Sequence, residues 1–138
     1  MTPREKQLHL INRYEILPGP QERLNAMVEK YGRLSPLREE ERIEVNRVHG
    51  CQSKVYFVGT LENGLCHFRS ESESVLVKGL VALICDIYDG GTPAEVIEVE
   101  PEILQRLGIW QILSPTRQNG LTDLRRVIRD WAIKVIEI

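Results

Sequence analysis

The chain has 138 residues, with Lys+Arg 18 against Asp+Glu 20 and a formal net charge of −2. That length is about one domain, enough to bury a core, and 42% hydrophobic with 28% charged residues argues for a globular protein and against disorder. The charge balance offers no basic excess for a nucleic acid. No stretch reaches membrane-spanning length, and Met1–Gln7 lacks an apolar signal-peptide core, so a cytoplasmic protein is expected, with neither nucleic acid nor membrane as partner.

Arg4 to Leu17 reads as a first helix, with Leu8, Ile11 and Tyr14 or Glu15 at three- and four-residue spacing. Pro18-Gly19-Pro20 stops it, and Pro20 can open a second helix whose Leu24, Met27, Val28 and Tyr31 form an apolar stripe closed by Gly32. The two helices are expected to form an antiparallel hairpin. Leu34 to Arg47, with Arg38-Glu39-Glu40-Glu41-Arg42 at its centre, reads as a solvated connector, and Ile43–Asn46 as a short edge strand.

Lys54–Leu61 is rich in β-branched and aromatic residues, and Asn63-Gly64 is a strong hairpin signal, with Leu65–Arg69 returning. A two-residue turn pairs Leu61 with Cys66, Thr60 with His67 and Gly59 with Phe68. Val55, Phe57, Leu61, Cys66 and Phe68 then share the core face, which makes Cys66 a small buried hydrophobe. Ser70 and Glu73 have capping-box spacing for a helix running through Val75–Tyr88, apolar on nearly all sides. Gly79 within it permits close packing against the sheet, and Cys85 is core. Thr92-Pro93-Ala94-Glu95 starts a short helix to about Glu98, and Glu102–Leu107 looks like another. Ser114–Gly120 reads as a loop before a last helix with Leu121, Leu124, Ile128, Trp131 and Val135 on one face. No repeat or linker divides the chain, so residues 1–138 are expected to form one domain.

Three cysteines, Cys51, Cys66 and Cys85, with no C-x-x-C, leave at least one thiol free and fit a reducing compartment. Cys51 follows Gly50 at the entry to the first strand, between His49 and the small polar Gln52 and Ser53, and is the candidate reactive residue. Zinc or iron–sulfur ligation would need Cys51 and His49 to meet Cys66 and His67. On a continuous strand, ten residues separate Cys51 from the partner of Cys66, about 30 Å at ~3.3 Å per residue. A cysteine hydrolase would need a histidine base and an orienting group; His49 is near, but nothing completes the set. Sulfur transfer asks for less: one accessible thiol, a lowered pKa or a nearby cation, and a loop able to enter a partner's site.

Four segments in order, Val48–Val55 with its Gly-Cys-Gln-Ser, Val77–Leu83, Thr92-Pro93 and Leu113–Leu121 with Ser-Pro-Thr-Arg-Gln-Asn-Gly-Leu, resemble the SufE-type sulfur acceptors over nearly the whole chain. The resemblance implies an α+β fold in which a curved antiparallel sheet packs against helices, as in the U-type iron–sulfur scaffolds. It implies that Cys51 takes sulfur from the persulfide of a pyridoxal-phosphate-dependent, SufS-like cysteine desulfurase. The acceptor stimulates that enzyme and passes the sulfur to a SufBCD-like cluster scaffold. It would do so as a monomer or weak homodimer, sulfurtransferase-like, binding no cofactor or metal of its own, the pyridoxal phosphate residing on the desulfurase. Arg117 matches the family's late-loop arginine and would favour a thiolate or persulfide if the fold brings it near Cys51; the alternative is a surface arginine capping a loop. Cys51 would be partly shielded at rest, its loop from His49 to Ser53 swinging out on docking. A non-catalytic desulfurase regulator and a U-type cluster scaffold are the alternative readings.

Overall fold

The computed structural model describes residues 1–33 and 37–137; the start of the charge-rich connector, residues 34–36, lies outside them. In chain order come α1 (Pro3–Tyr14), α2 (Pro20–Tyr31), β1 (Val55–Glu62), β2 (Leu65–Ser72), α3 (Val75–Tyr88), α4 (Pro93–Glu98), α5 (Ile103–Arg106) and α6 (Pro115–Glu137). The architecture is α+β, a two-stranded antiparallel sheet packed against helices.

Everything is arranged on α3. Its run of aliphatic residues buries Leu80, Val81, Leu83, Ile84, Cys85, Ile87 and Tyr88, so the helix has neighbours on most sides. β2 lies against one flank and α2 against another. The hairpin follows the expected register, with Leu61 opposite Cys66, Thr60 opposite His67 and Gly59 opposite Phe68. Asn63 (φ 53°) and Gly64 (φ 79°) supply the two positive dihedrals that a type I′ turn requires. Val55, Phe57, Cys66 and Phe68 are buried on the shared face, and Phe57 stacks on Phe68. Leu61 is 46% exposed although Cys66 opposite it is fully buried: the turn after α3 covers the β2 side, where Cys66 exchanges backbone bonds with Gly90 and Gly91.

Several expectations are corrected. The first helix begins at Pro3, capped by Thr2 and Glu5, and buries Gln7, Leu10, Ile11 and Tyr14, leaving Leu8 half exposed. The Gln7 side chain crosses to α5, accepting from the Glu102 and Ile103 amides and donating to the Glu100 carbonyl, which no apolar stripe reveals. α2 packs chiefly on α3, and α1 divides its contacts between α3 and α5, rather than the two packing on each other as a hairpin. Gly79 makes its close approach to Val28 of α2, not to the sheet. Ser70 and Glu73 form no cap: β2 runs on to Ser72, and Ser74 caps α3 by accepting from the Val77 amide.

The connector is more than solvated charge, and Ile43–Asn46 is not a strand. Glu44–Asn46 is a 3₁₀ turn, and Arg47 makes an isolated bridge to Tyr56. Glu41 holds Arg69 of β2 through two bonds of 2.6 and 2.9 Å, which keeps its carboxyl well below the usual carboxylate range, at about 2. Arg42 and Lys78 both pair with the buried Glu71. Finally, Ser114–Gly120 is not a loop. Ser114 accepts from the Arg117 amide, Pro115 is the first helical residue, and Gly120 lies inside α6.

Candidate functional site

The site is built where the segment before β1 meets α6. The Val48 amide donates to the Val55 carbonyl at 2.8 Å, which pins the two ends of the intervening residues 49–54 side by side. Val48 and Val55 are both buried, so this base is fixed while the segment between them projects. α6 receives it at two points one helical turn apart. The Gly50 amide donates to Asp123 Oδ2 at 2.9 Å, and the Cys51 thiol lies 3.5 Å from the Gly120 carbonyl oxygen. Both glycines are required by proximity. A Cβ at Gly50 would overlap the Asp123 side chain, and one at Gly120 would come within 3.0 Å of the Cys51 sulfur.

Cys51 is half-buried, and beside it opens a cavity of about 320 Å³. Its walls are Val77, Leu80 and Val81 of α3 and Leu121 of α6; Gln52, Ser53, Thr116 and Arg117 also line it. Of the residues singled out in the sequence, the fold thus brings together Cys51, Gln52, Ser53 and Arg117, with Gly50 at the latch to Asp123. His49 is left out: it is two-thirds exposed, and its Nε2 lies 3.4 Å from Glu44 Oε1. Cys66 and Cys85 are buried in the core. Among the described residues, no three His, Cys, Asp or Glu side chains are grouped to hold a metal ion.

Of the lowered pKa or nearby cation that sulfur transfer asks for, the structure shows no lowered pKa, while Arg117 lines the same cavity. Burial, and then the nearby Asp123 carboxylate, push the Cys51 thiol up to about 11. In this closed arrangement the sulfur is a protonated thiol at neutral pH, although Arg117 borders the same cavity. Asp123 and Gly120 are the residues that sequence reasoning missed as part of the site. Their signal was present: taking Ser114-Pro115 as a helix start, rather than a loop, would have put both on one face of α6.

The family model described as SufE, Fe-S metabolism associated domain, matches residues 8–132. The chain belongs to the SufE family. An uncharacterized SufE-like protein of Synechocystis sp. is 33% identical over 124 residues, covering 90% of this chain and 78% of that protein. A SufE-like protein of Rhizobium etli is 32% identical over 128 residues, covering 89% and 86%. The solution structure of a hypothetical protein from Thermus thermophilus superposes with a TM-score of 0.80 at 21% identity, over 100% of this chain and 99% of that one, and so shares the fold. The SufE match therefore covers the cysteine segment, α3 and most of α6, the three parts that make the cavity. No helix among the described residues is long and apolar enough to cross a membrane.

Proposed function

We propose that this SufE-family chain is a cytoplasmic sulfur acceptor that takes sulfane sulfur from a cysteine desulfurase onto Cys51. It stimulates that enzyme and hands the sulfur to an iron–sulfur cluster scaffold. The observation that carries the reading is the placement of the three thiols: two are sealed in the core, and the third rides on a projecting segment above a cavity. That is the placement a shuttle needs, since its sulfur must both leave the protein surface and return to shelter.

The transfer is a displacement without net redox change. The Cys51 thiolate attacks the outer sulfur of the desulfurase persulfide. The partner's S–S bond breaks, a new S–S bond forms on Cys51, and the desulfurase cysteine leaves as a thiolate. The Cys51 proton goes to solvent. A thiol held near pKa 11 is a poor nucleophile at neutral pH, so the segment must first leave Gly120 and Asp123 for water, where a cysteine titrates near ~8.5. Back in the closed position, the persulfide's extra sulfur has the apolar cavity of Val77, Leu80 and Val81 to enter, away from cellular thiols. Arg117 at its rim supplies a positive charge for the persulfide anion. Pyridoxal phosphate belongs to the partner's chemistry.

Intact-mass measurement after incubation with a desulfurase, pyridoxal phosphate and cysteine tests this directly. We expect a gain of one sulfur atom, mapped to Cys51, reversed by reductant, lost in Cys51→Ser and kept in Cys66→Ser and Cys85→Ser. No gain alongside a desulfurase that is itself persulfidated, or loss of the gain in all three folded variants, overturns the assignment.

A further inference from the structure

The Cys51 segment is fastened to α6 by a carboxylate, and the arrangement is specific. Asp123 uses its two oxygens separately. Oδ2 accepts from the Gly50 amide at 2.9 Å, while Oδ1 is held by Arg126 through Nη2 at 2.6 Å and Nε at 3.0 Å. The arginine fixes the carboxylate rotamer, leaving one oxygen facing the segment. Asp123 has a side chain only 19% exposed, pressed so close to Gly50 that no Cβ fits between them. One turn earlier, the Gly120 carbonyl meets the thiol itself. Two points of attachment on one helix face define a single closed position for the segment.

The geometry points to Asp123 as a positioning residue for sulfur acceptance: it latches the Cys51 segment shut through the Gly50 amide and withholds the thiol until the latch is broken. This rests on the acceptor reading above for its purpose, though not for its test. Its charge acts in the same direction as its hydrogen bond, because a carboxylate beside the sulfur disfavours a second anion there. The other charged groups around the thiol do not replace it. On the segment itself, His49 is engaged with Glu44 and Lys54 is exposed; α3 turns Val77, Leu80 and Val81 toward the cavity; α6 adds Arg117 at the rim and Arg126 behind Asp123. A docking partner that competes for the Gly50 amide, or draws Asp123 away, releases the thiol and raises its thiolate fraction in one step.

The test needs no desulfurase. Alkylation of Cys51 by iodoacetamide, located by peptide mass, is followed from neutral pH to about 11 in the free chain and in Asp123→Asn and Asp123→Ala. Asparagine keeps an acceptor for Gly50 and loses the charge; alanine loses both. Asp123→Asn is expected to react roughly tenfold faster at neutral pH, with its midpoint about one pH unit lower. Asp123→Ala goes further in both. Unchanged rate and midpoint in the folded alanine variant overturn the latch, and so does an alanine variant that reacts no faster than the asparagine one, since only alanine removes the acceptor for Gly50. Should the alanine variant fail to fold, Asp123→Leu, which keeps bulk and supplies no acceptor, takes its place. A shifted midpoint together with absent sulfur uptake would keep the latch and reject the acceptor function.

Discussion

At the scale of single residues, the three thiols differ by surroundings alone. Burial pushes Cys66 up to about 11 and Cys85 to about 12, each helped by nearby carboxylates. Unfolded cysteines ionise near ~8.5. Above that pH the unfolded chain sheds thiol protons that the folded chain retains, so this contribution to stability is complete at neutral pH and is lost as pH rises through about 11 to 12. Urea midpoints should therefore fall on alkaline titration. Cys66→Ser and Cys85→Ser should flatten that fall while costing roughly 1–3 kcal/mol at neutral pH, because each puts a hydroxyl where the core expects sulfur. Equal alkaline slopes in wild type and both variants would refute this account. That Cys51 stands apart from the two core thiols was legible in the sequence, from the glycine before it at a strand entry and from the resemblance of its Gly-Cys-Gln-Ser segment. Its raised pKa was not, since that depends on burial and then on Asp123, 72 positions away, both set only by folding.

At the scale of elements, hairpin and helices were read from local chemistry, and errors arose where long-range packing decided. The Asn63-Gly64 turn fixes its own register, and Thr92-Pro93-Ala94-Glu95 its own helix start. By contrast, the extent of β2 and the partner of Gly79 depend on neighbours that no local pattern names, whereas the start of α6 carries a local signal, Ser114-Pro115, that also reads as a loop. The two helical glycines make this measurable. An added Cβ at Gly79 would sit 3.0 Å from the Val28 Cα, so backbone would have to move. Gly79→Ala should cost about 1–3 kcal/mol for overpacking, against about 1 kcal/mol of gained helix propensity. At Gly120 the obstacle is the Cys51 sulfur, on the segment proposed above to swing out. Gly120→Ala should leave the urea midpoint near the wild type and speed Cys51 alkylation instead. Identical behaviour of the two variants would contradict the distinction.

At the scale of the whole molecule, α6 ties the site to the far side of the fold. Arg125, one residue beyond the apolar Leu124, is buried over the Tyr88 ring and donates to the Val96 and Ile97 carbonyls of α4 at 2.9 Å each. Its ion pair with the mostly exposed Glu100 adds little. Arg125→Leu strands the buried Val96 carbonyl and the half-buried Ile97 carbonyl and should cost on the order of 3 kcal/mol, about 10 °C in Tm. Glu100→Gln should stay within ~0.5 kcal/mol, and a comparable loss from both would show that the charge pair, not the carbonyl bonds, holds α4 to α6.

The bond from Val48 to Val55 sets a ruler. Six residues lie between its ends, and a chain that must go out and come back within them extends at most about 12 Å at ~3.5 Å per residue. A thiol at the crest can meet a sulfur recessed no deeper than that distance plus its own side chain. Any deeper target would require the Val48–Val55 bond and then the Arg47–Tyr56 bridge to open, so on the proposed acceptor reading the depth of the donor's cleft is itself a criterion for which donors this chain could serve.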